Sequence, residues 1–401
     1  MRKWLLATGG ILVLGCLPLG AHPDGAPPIK HPLVVGFERF FAEGDPSEYL
    51  ATGGLLLVNE LNCVACHQPP EAWAGQLSGR KGTDLSEAGG RLEFEDLWLA
   101  IRHPASLRRG ARMPSLFAHP DRNEEDIDAL ASFLLGLRSP IVDAEVDAVG
   151  DPQTGQALFH SVGCVACHAP ELAEGWEKPN VPSSALTKAE RYSPSALAMA
   201  LRKPGSLHAG ERNPDFGLSE DEAAHIGAYL RGDQDSGRSP MELALVSGSY
   251  DPSLSDKGRA LFSERGCASC HTGAGVDTAK PMPMAAPLIE LRAMDQGCLA
   301  EEAVQGGVHW GLSELQTQAI GHALERIRQD PQSETVQADE AMDFQLMSRD
   351  CFACHSWREK GGLEEARQAF WPEREVTSLD GSADPFDRPC RLRMTPAVTL
   401  E

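Results

Sequence analysis

An all-α architecture of small helical units in tandem is predicted by three observations. The pattern Cys-x-x-Cys-His occurs four times in 401 residues, with its first cysteine at positions 63, 164, 267 and 351. The surroundings repeat with it at an interval of about one hundred residues, the size of a whole small domain rather than of a solenoid unit. Apolar residues between these marks follow helical spacing and are bracketed by prolines, glycines and cap residues. Hydrophobic residues at 42% and charged residues at 23% belong to a chain that folds. Lys and Arg number 36 against 58 Asp and Glu, a net charge of −22. So acidic a chain repels phosphate backbones, which excludes a nucleic-acid partner and favours a partner with a basic docking patch.

The amino terminus reads as a targeting segment. Arg2 and Lys3 precede an apolar run from Trp4 to Leu19, too short and too poorly flanked for a membrane span. Residues 1–21 are expected to be a signal peptide of an exported, periplasmic protein. Val13-Leu14-Gly15-Cys16 offers the alternative of a lipoprotein anchored through Cys16. No other stretch is apolar enough to span a bilayer.

The first unit, 22–140, opens with an arm (22–50) whose Phe37-Glu38-Arg39-Phe40-Phe41 cluster is expected to cover its outside. Units at 151–235 and 252–330 follow, and 340–401 is a partial fourth. Each complete unit begins with a short amphipathic helix running into its motif. Gly54, Gly155 and Gly258 stand nine residues before the first cysteine, where a second backbone could approach closely. Residues 97–116 match 197–216 at a constant offset; Leu97/Leu197, Arg102/Arg202, Pro104/Pro204 and Gly110/Gly210 are identical. This segment is predicted to be a helix stopped by proline, then a loop. Capping-box patterns at Asn123–Asp126, Ser219–Glu222 and Ser313–Gln316 open a closing helix in each unit.

Cys-x-x-Cys-His is chemically specific. Two thiols on one turn can add to the two vinyl groups of haem, and the adjacent histidine then lies under the iron. A zinc ribbon would need a second Cys-x-x-Cys some 15–20 residues away, which no unit has, and a thioredoxin-like pair would sit in a βαβ unit. The expected attachment residues are Cys63, Cys66, Cys164, Cys167, Cys267, Cys270, Cys351 and Cys354, with His67, His168, His271 and His355 as axial ligands of four covalent haems.

These repeats resemble class I cytochrome c domains in tandem, over nearly all the chain beyond the targeting segment. The arm and the unequal repeats also resemble multihaem cytochromes of planctomycete-type bacteria. The resemblance implies a few helices around each haem, with first and last helices crossing at the glycine noted above. It also implies a methionine on a late loop as sixth ligand. Met113, in Arg112-Met113-Pro114, occupies that place in the first unit. In the second unit Asn213 replaces it, and His208 is the candidate; His225 reads as a packing or surface histidine. In the third unit His309 competes with Met282, Met284 and Met294. In the fourth, Met394 in Arg393-Met394-Thr395-Pro396 is the candidate. Cys298 and Cys390 are left over, either as a disulfide or as two free thiols.

Two functions are weighed. One is an exported tetrahaem relay between an electron donor and an acceptor, the haem iron carrying the chemistry. The other is a multihaem peroxidase using a haem with an open or weak sixth position, as Asn213 would leave. No evident distal acid or base accompanies that position, which favours the carrier.

Overall fold

The computed structural model describes residues from Pro46 to Gly361, chiefly 46–104, 113–138, 150–168, 192–207, 213–232, 248–275, 285–292, 294–302, 307–332 and 338–357. The targeting segment with Cys16, the aromatic arm cluster, His208, Met282, Met284, Cys390 and Met394 lie outside the described residues. The protein is helical, with two minimal hairpins, Glu171–Leu172 with Gly175–Trp176 and Ser356–Trp357 with Lys360–Gly361.

The principal helices are α1 (Pro46–Glu60), α2 (Phe94–Arg102), α3 (Glu124–Leu135), α4 (Pro152–Val162), α5 (Pro194–Arg202), α6 (Glu220–Arg231), α7 (Ser255–Glu264), α8 (Glu314–Gln329) and α9 (Ala338–Ser348). Helices α2 and α5 end at Arg102 and Arg202, as their shared pattern predicts. Capping boxes form at Ser219/Glu222 and Ser313/Gln316. Asn123 does not form one. Its amide turns back and donates to the His119 carbonyl at 2.7 Å, closing the turn over Pro120–Arg122.

The three glycines mark the close approaches, but not all within their own repeat. Gly155 on α4 lies against His225 of α6, where a Cβ would stand 1.9 Å from the His225 carbonyl oxygen. The second repeat thus pairs its own first and last helices. In the other two the partners are exchanged. A Cβ on Gly54 would stand 1.8 Å from the carbonyl oxygen of Ala319 on α8, and one on Gly258 2.0 Å from that of Ala129 on α3. Helix α1 of the first repeat therefore packs on the closing helix of the third, and α7 of the third on the closing helix of the first. Among the described residues of 22–140 and 252–330 the opening helices pack on each other's closing helix, and ion pairs cross both seams.

Two composite cores result. One joins Leu56, Leu57, Trp73 and Leu77 to Leu288, Ile320, Leu324 and Ile327, and takes in Phe344, Met347 and Phe352 of the fourth repeat. The other joins Trp98, Phe117, Ile127 and Phe133 to Leu261 and Phe262, with Phe133 and Phe262 edge-on at 5.8 Å. Each fully buried aliphatic or aromatic side chain contributes about 1.5–3 kcal/mol. Polar links cross the same seams. Arg326 pairs with Glu48 at 2.6 Å, and the Trp73 indole donates to the Asp330 carbonyl at 2.8 Å. Lys257 pairs with Glu125 at 2.7 Å and Asp126 at 3.0 Å, and Arg265 reaches Asp126 at 3.3 Å.

Candidate metal centres

All four Cys-x-x-Cys-His segments fold into the same turn. A residue in the left-handed region enters each: Asn62 (φ 55°), Gly163 (φ 111°), Gly266 (φ 73°) and Asp350 (φ 60°). A single 3-10 turn follows, and the histidine N–H donates to the carbonyl of the first cysteine, at 2.9 Å for His67, His168 and His271 and 2.8 Å for His355. This brings both sulfurs and the imidazole to one short segment. Gly or Asx precedes the first cysteine in every copy, the residue types that tolerate positive φ. That position is a sequence signal the motif alone does not contain.

Among the described residues the motif cysteines and Cys298 form no disulfide with one another. Burial pushes the Cys63, Cys164 and Cys267 thiols up to about 12. Cys298 lies near Cys66 and Cys63, whose mutual influence appears in their raised values, burial being the larger cause. Among the described residues no three His, Cys, Asp or Glu side chains converge on a common metal position. A haem asks less of the protein, one histidine and one further axial group per iron, and the motif turns fit that requirement.

The histidine environments repeat the exchange. The His67 ring Nδ1 lies 2.7 Å from the carbonyl of Ala286, in the third repeat, and the His271 ring Nδ1 2.8 Å from that of Thr83, in the first. A carbonyl at Nδ1 fixes the tautomer that leaves Nε2 free to bind a metal. Burial lowers the pKa of His271, favouring the neutral ring that a metal ligand must be. Main-chain bonds flank both contacts. Ala285 and Leu288 donate to Cys66 and Gln68, at 3.2 and 3.0 Å, while Gly82 and Leu85 donate to Cys270 and Thr272, both at 2.8 Å. Asp84 joins the second set, accepting from Thr272 at 2.7 Å. Burial pushes its carboxyl up, but the hydrogen bonds from Ser86 and Thr272 outweigh this and hold it below the usual range.

The motifs also meet one another in pairs. Asn62 donates to the Cys270 sulfur at 3.6 Å, joining the first motif to the third. Asp350 accepts from the Cys167 thiol at 3.3 Å, joining the fourth to the second. In both pairs a non-glycine residue just before one motif touches the second cysteine of the other. Sequence reasoning passed over Asn62, Asp350, Thr83, Asp84 and Ala286.

The distal candidates are less evenly placed. Met113 is half-buried in the loop leading to α3. His309 forms an antiparallel bridge with Ser115, two residues beyond Met113, and its ring Nε2 lies 3.1 Å from the Glu301 carbonyl. Met294 packs at the edge of the core that contains Cys63, its sulfur facing Gly321 of α8. Asn213 is half-buried. His225 is a packing histidine that accepts from the Asp151 main-chain N–H at 2.8 Å. No helix among the described residues is long and apolar enough to cross a membrane.

Comparison with known proteins gives one link. Over 99 residues, 23% of this chain, the sequence is 36% identical to cytochrome c oxidase subunit 2 of Alkalihalophilus pseudofirmus. The chain spans 28% of that relative's length. No family model matches the chain, and no solved structure matches it. The similarity is thus to a cytochrome-related protein and is local.

Proposed function

We propose that this protein is an exported tetrahaem c-type cytochrome that relays electrons between a donor and a protein acceptor bearing a basic patch. The single observation that carries this reading is the four-fold recurrence of one Cys-x-x-Cys-His turn, with the turns brought together two by two. The local similarity to a cytochrome-related protein supports it. When bound, haem iron supplies a one-electron couple. The chain's own residues do the rest. Cys63 and Cys66, Cys164 and Cys167, Cys267 and Cys270, and Cys351 and Cys354 would hold the groups as thioethers. His67, His168, His271 and His355 would each take one axial position. The Ala286 and Thr83 carbonyls hold two of those rings in orientation. Apolar core residues pack against the first cysteine of the first, second and third motifs and would give each group an apolar wall. The Asn62–Cys270 and Asp350–Cys167 contacts bring the first motif beside the third and the second beside the fourth, as short-range electron transfer requires; the Cys167 S–H that Asp350 accepts from would be consumed when the thioether forms, so that contact belongs to the protein before attachment.

The test is the intact mass of protein matured in a host competent for c-type attachment. The expected result is four haem masses above the processed polypeptide. Fewer than four overturns the tetrahaem count. Turnover of hydrogen peroxide by the reduced protein would overturn the carrier reading in favour of an enzyme.

A further inference from the structure

We infer that the centres formed by the first and third motifs are assembled crosswise, so that Met113 faces the iron held by His271 and not the one held by His67. This rests on the haem reading above and adds to it which loop closes over which motif.

Met113 stands on the loop that leads through Phe117 into α3. Beyond its own repeat this loop meets two partners: Ser115 forms a main-chain bridge with His309, and from Phe117 onward the chain packs against the third motif's surroundings, and it is this second contact that carries the loop into α3. Phe117 is buried in one core with Leu261 and Phe262 of α7, and Cys267 and Ala268 pack against that core. The Arg265 guanidinium, two residues before Cys267, lies over the Phe117 ring at 4.9 Å. Gly258 is in backbone contact with Ala129, so α7 and α3 cannot separate without losing that crossing. The His271 ring is held by Thr83, so residues 82–85 and the segment from Phe117 into α3 both adjoin the third motif's surroundings.

The first motif is enclosed by other residues. Cys63 and Val64 pack against the core of α1 and α8, together with Met294 and Trp310. His67 is held by Ala286. A flat macrocycle anchored at His67 would be walled by residues from 285–292 and 307–329, and one anchored at His271 by residues from 82–85 and 113–135. A thioether is a soft ligand well matched to haem iron. The one on the second wall is Met113.

The experiment asks which haem senses Met113. Two backgrounds are prepared, one lacking the third haem (Cys267→Ala with Cys270→Ala) and one lacking the first (Cys63→Ala with Cys66→Ala), each verified by mass. Met113→His is introduced into both. The readouts are the near-infrared methionine-to-iron band of ferric haem and the set of midpoint potentials. With the first haem absent, Met113→His should diminish the band and lower one midpoint. With the third absent, it should change neither. The opposite dependence overturns the assignment. A second variant keeps it falsifiable if these proteins mature poorly. Lys257→Cys with Glu125→Cys, in the protein with all haem motifs intact, should be joined by a short bifunctional thiol reagent. A protease site inserted near residue 240 then leaves the two pieces covalently linked. Pieces that separate overturn the crosswise assembly. A product with no haem mass refutes the relay reading itself and the iron assignment with it, while four haem masses with the opposite dependence refute only this inference.

Discussion

At Gly54, Gly155 and Gly258 even one methyl group is too much. A Cβ would stand 1.8–2.0 Å from a carbonyl oxygen of the crossing helix, and that oxygen is main chain, so no side chain can move aside. Gly258→Ala should therefore force α7 off α3 and destabilise the protein by about 1–3 kcal/mol, the usual range for overpacking. A urea titration reads this as a lowered midpoint, and an unchanged midpoint would show that the helices do not cross there. The glycine's role was legible in the sequence, because its spacing from the cysteine is constant. Asn62 and Asp350 illustrate the reverse. Their left-handed backbone costs about 1–2 kcal/mol relative to the right-handed form. The contact each makes with a sulfur of another motif depends on tertiary placement that no local pattern encodes.

The helices were legible at the scale of elements, and their partners were not. Periodicity, prolines and caps located them closely, with Asn123 the one cap pattern that failed. The crossing itself is locally degenerate: α3 and α8 both present an alanine, Ala129 or Ala319, to a glycine. Charges around the crossing break the tie. Four residues before Ala129 stands Glu125, which pairs with Lys257 of α7; four before Ala319 stands Leu315, which cannot. Seven after Ala319 stands Arg326, which pairs with Glu48 of α1; seven after Ala129 stands Gly136, which cannot. Exposed ion pairs add little stability, but mispairing would remove them all, so they select between otherwise similar partners. Caps add a testable pH effect. Asp151 caps α4, accepting from Thr154 N–H at 2.7 Å, and the hydrogen bonds from Thr154 hold its pKa below the ordinary 3.8. A carboxylate depressed in the folded state stabilises fully above its unfolded value, and the benefit disappears as pH falls through the folded one. Urea midpoints of the wild type and Asp151→Ala should differ at neutral pH and converge in acid. A gap that persists unchanged in acid would show that the carboxylate charge is not what caps the helix.

For the whole molecule, exchange means that the repeats are not interchangeable pieces. The second closes on itself through α4 and α6, with Phe159 and Tyr229 in contact at 5.5 Å. A fragment spanning residues 150–235 should unfold cooperatively on its own, whereas one spanning 22–140 should not, because α3 lacks α7 and α1 lacks α8. Circular dichroism during urea titration of the two fragments checks this; a cooperative transition from 22–140 alone would contradict the exchange. The same feature sets an order of events in synthesis. Glu48 and Arg326, joined across the α1–α8 seam, are separated by 278 residues of sequence. Contacts between such distant segments form slowly, and a chain grows from its N terminus. The first motif therefore emerges well before the helix that will bury it. For that interval Cys63 and Cys66 would stand fully open to a haem-attaching partner, and the arrival of α8 leaves them only partly accessible.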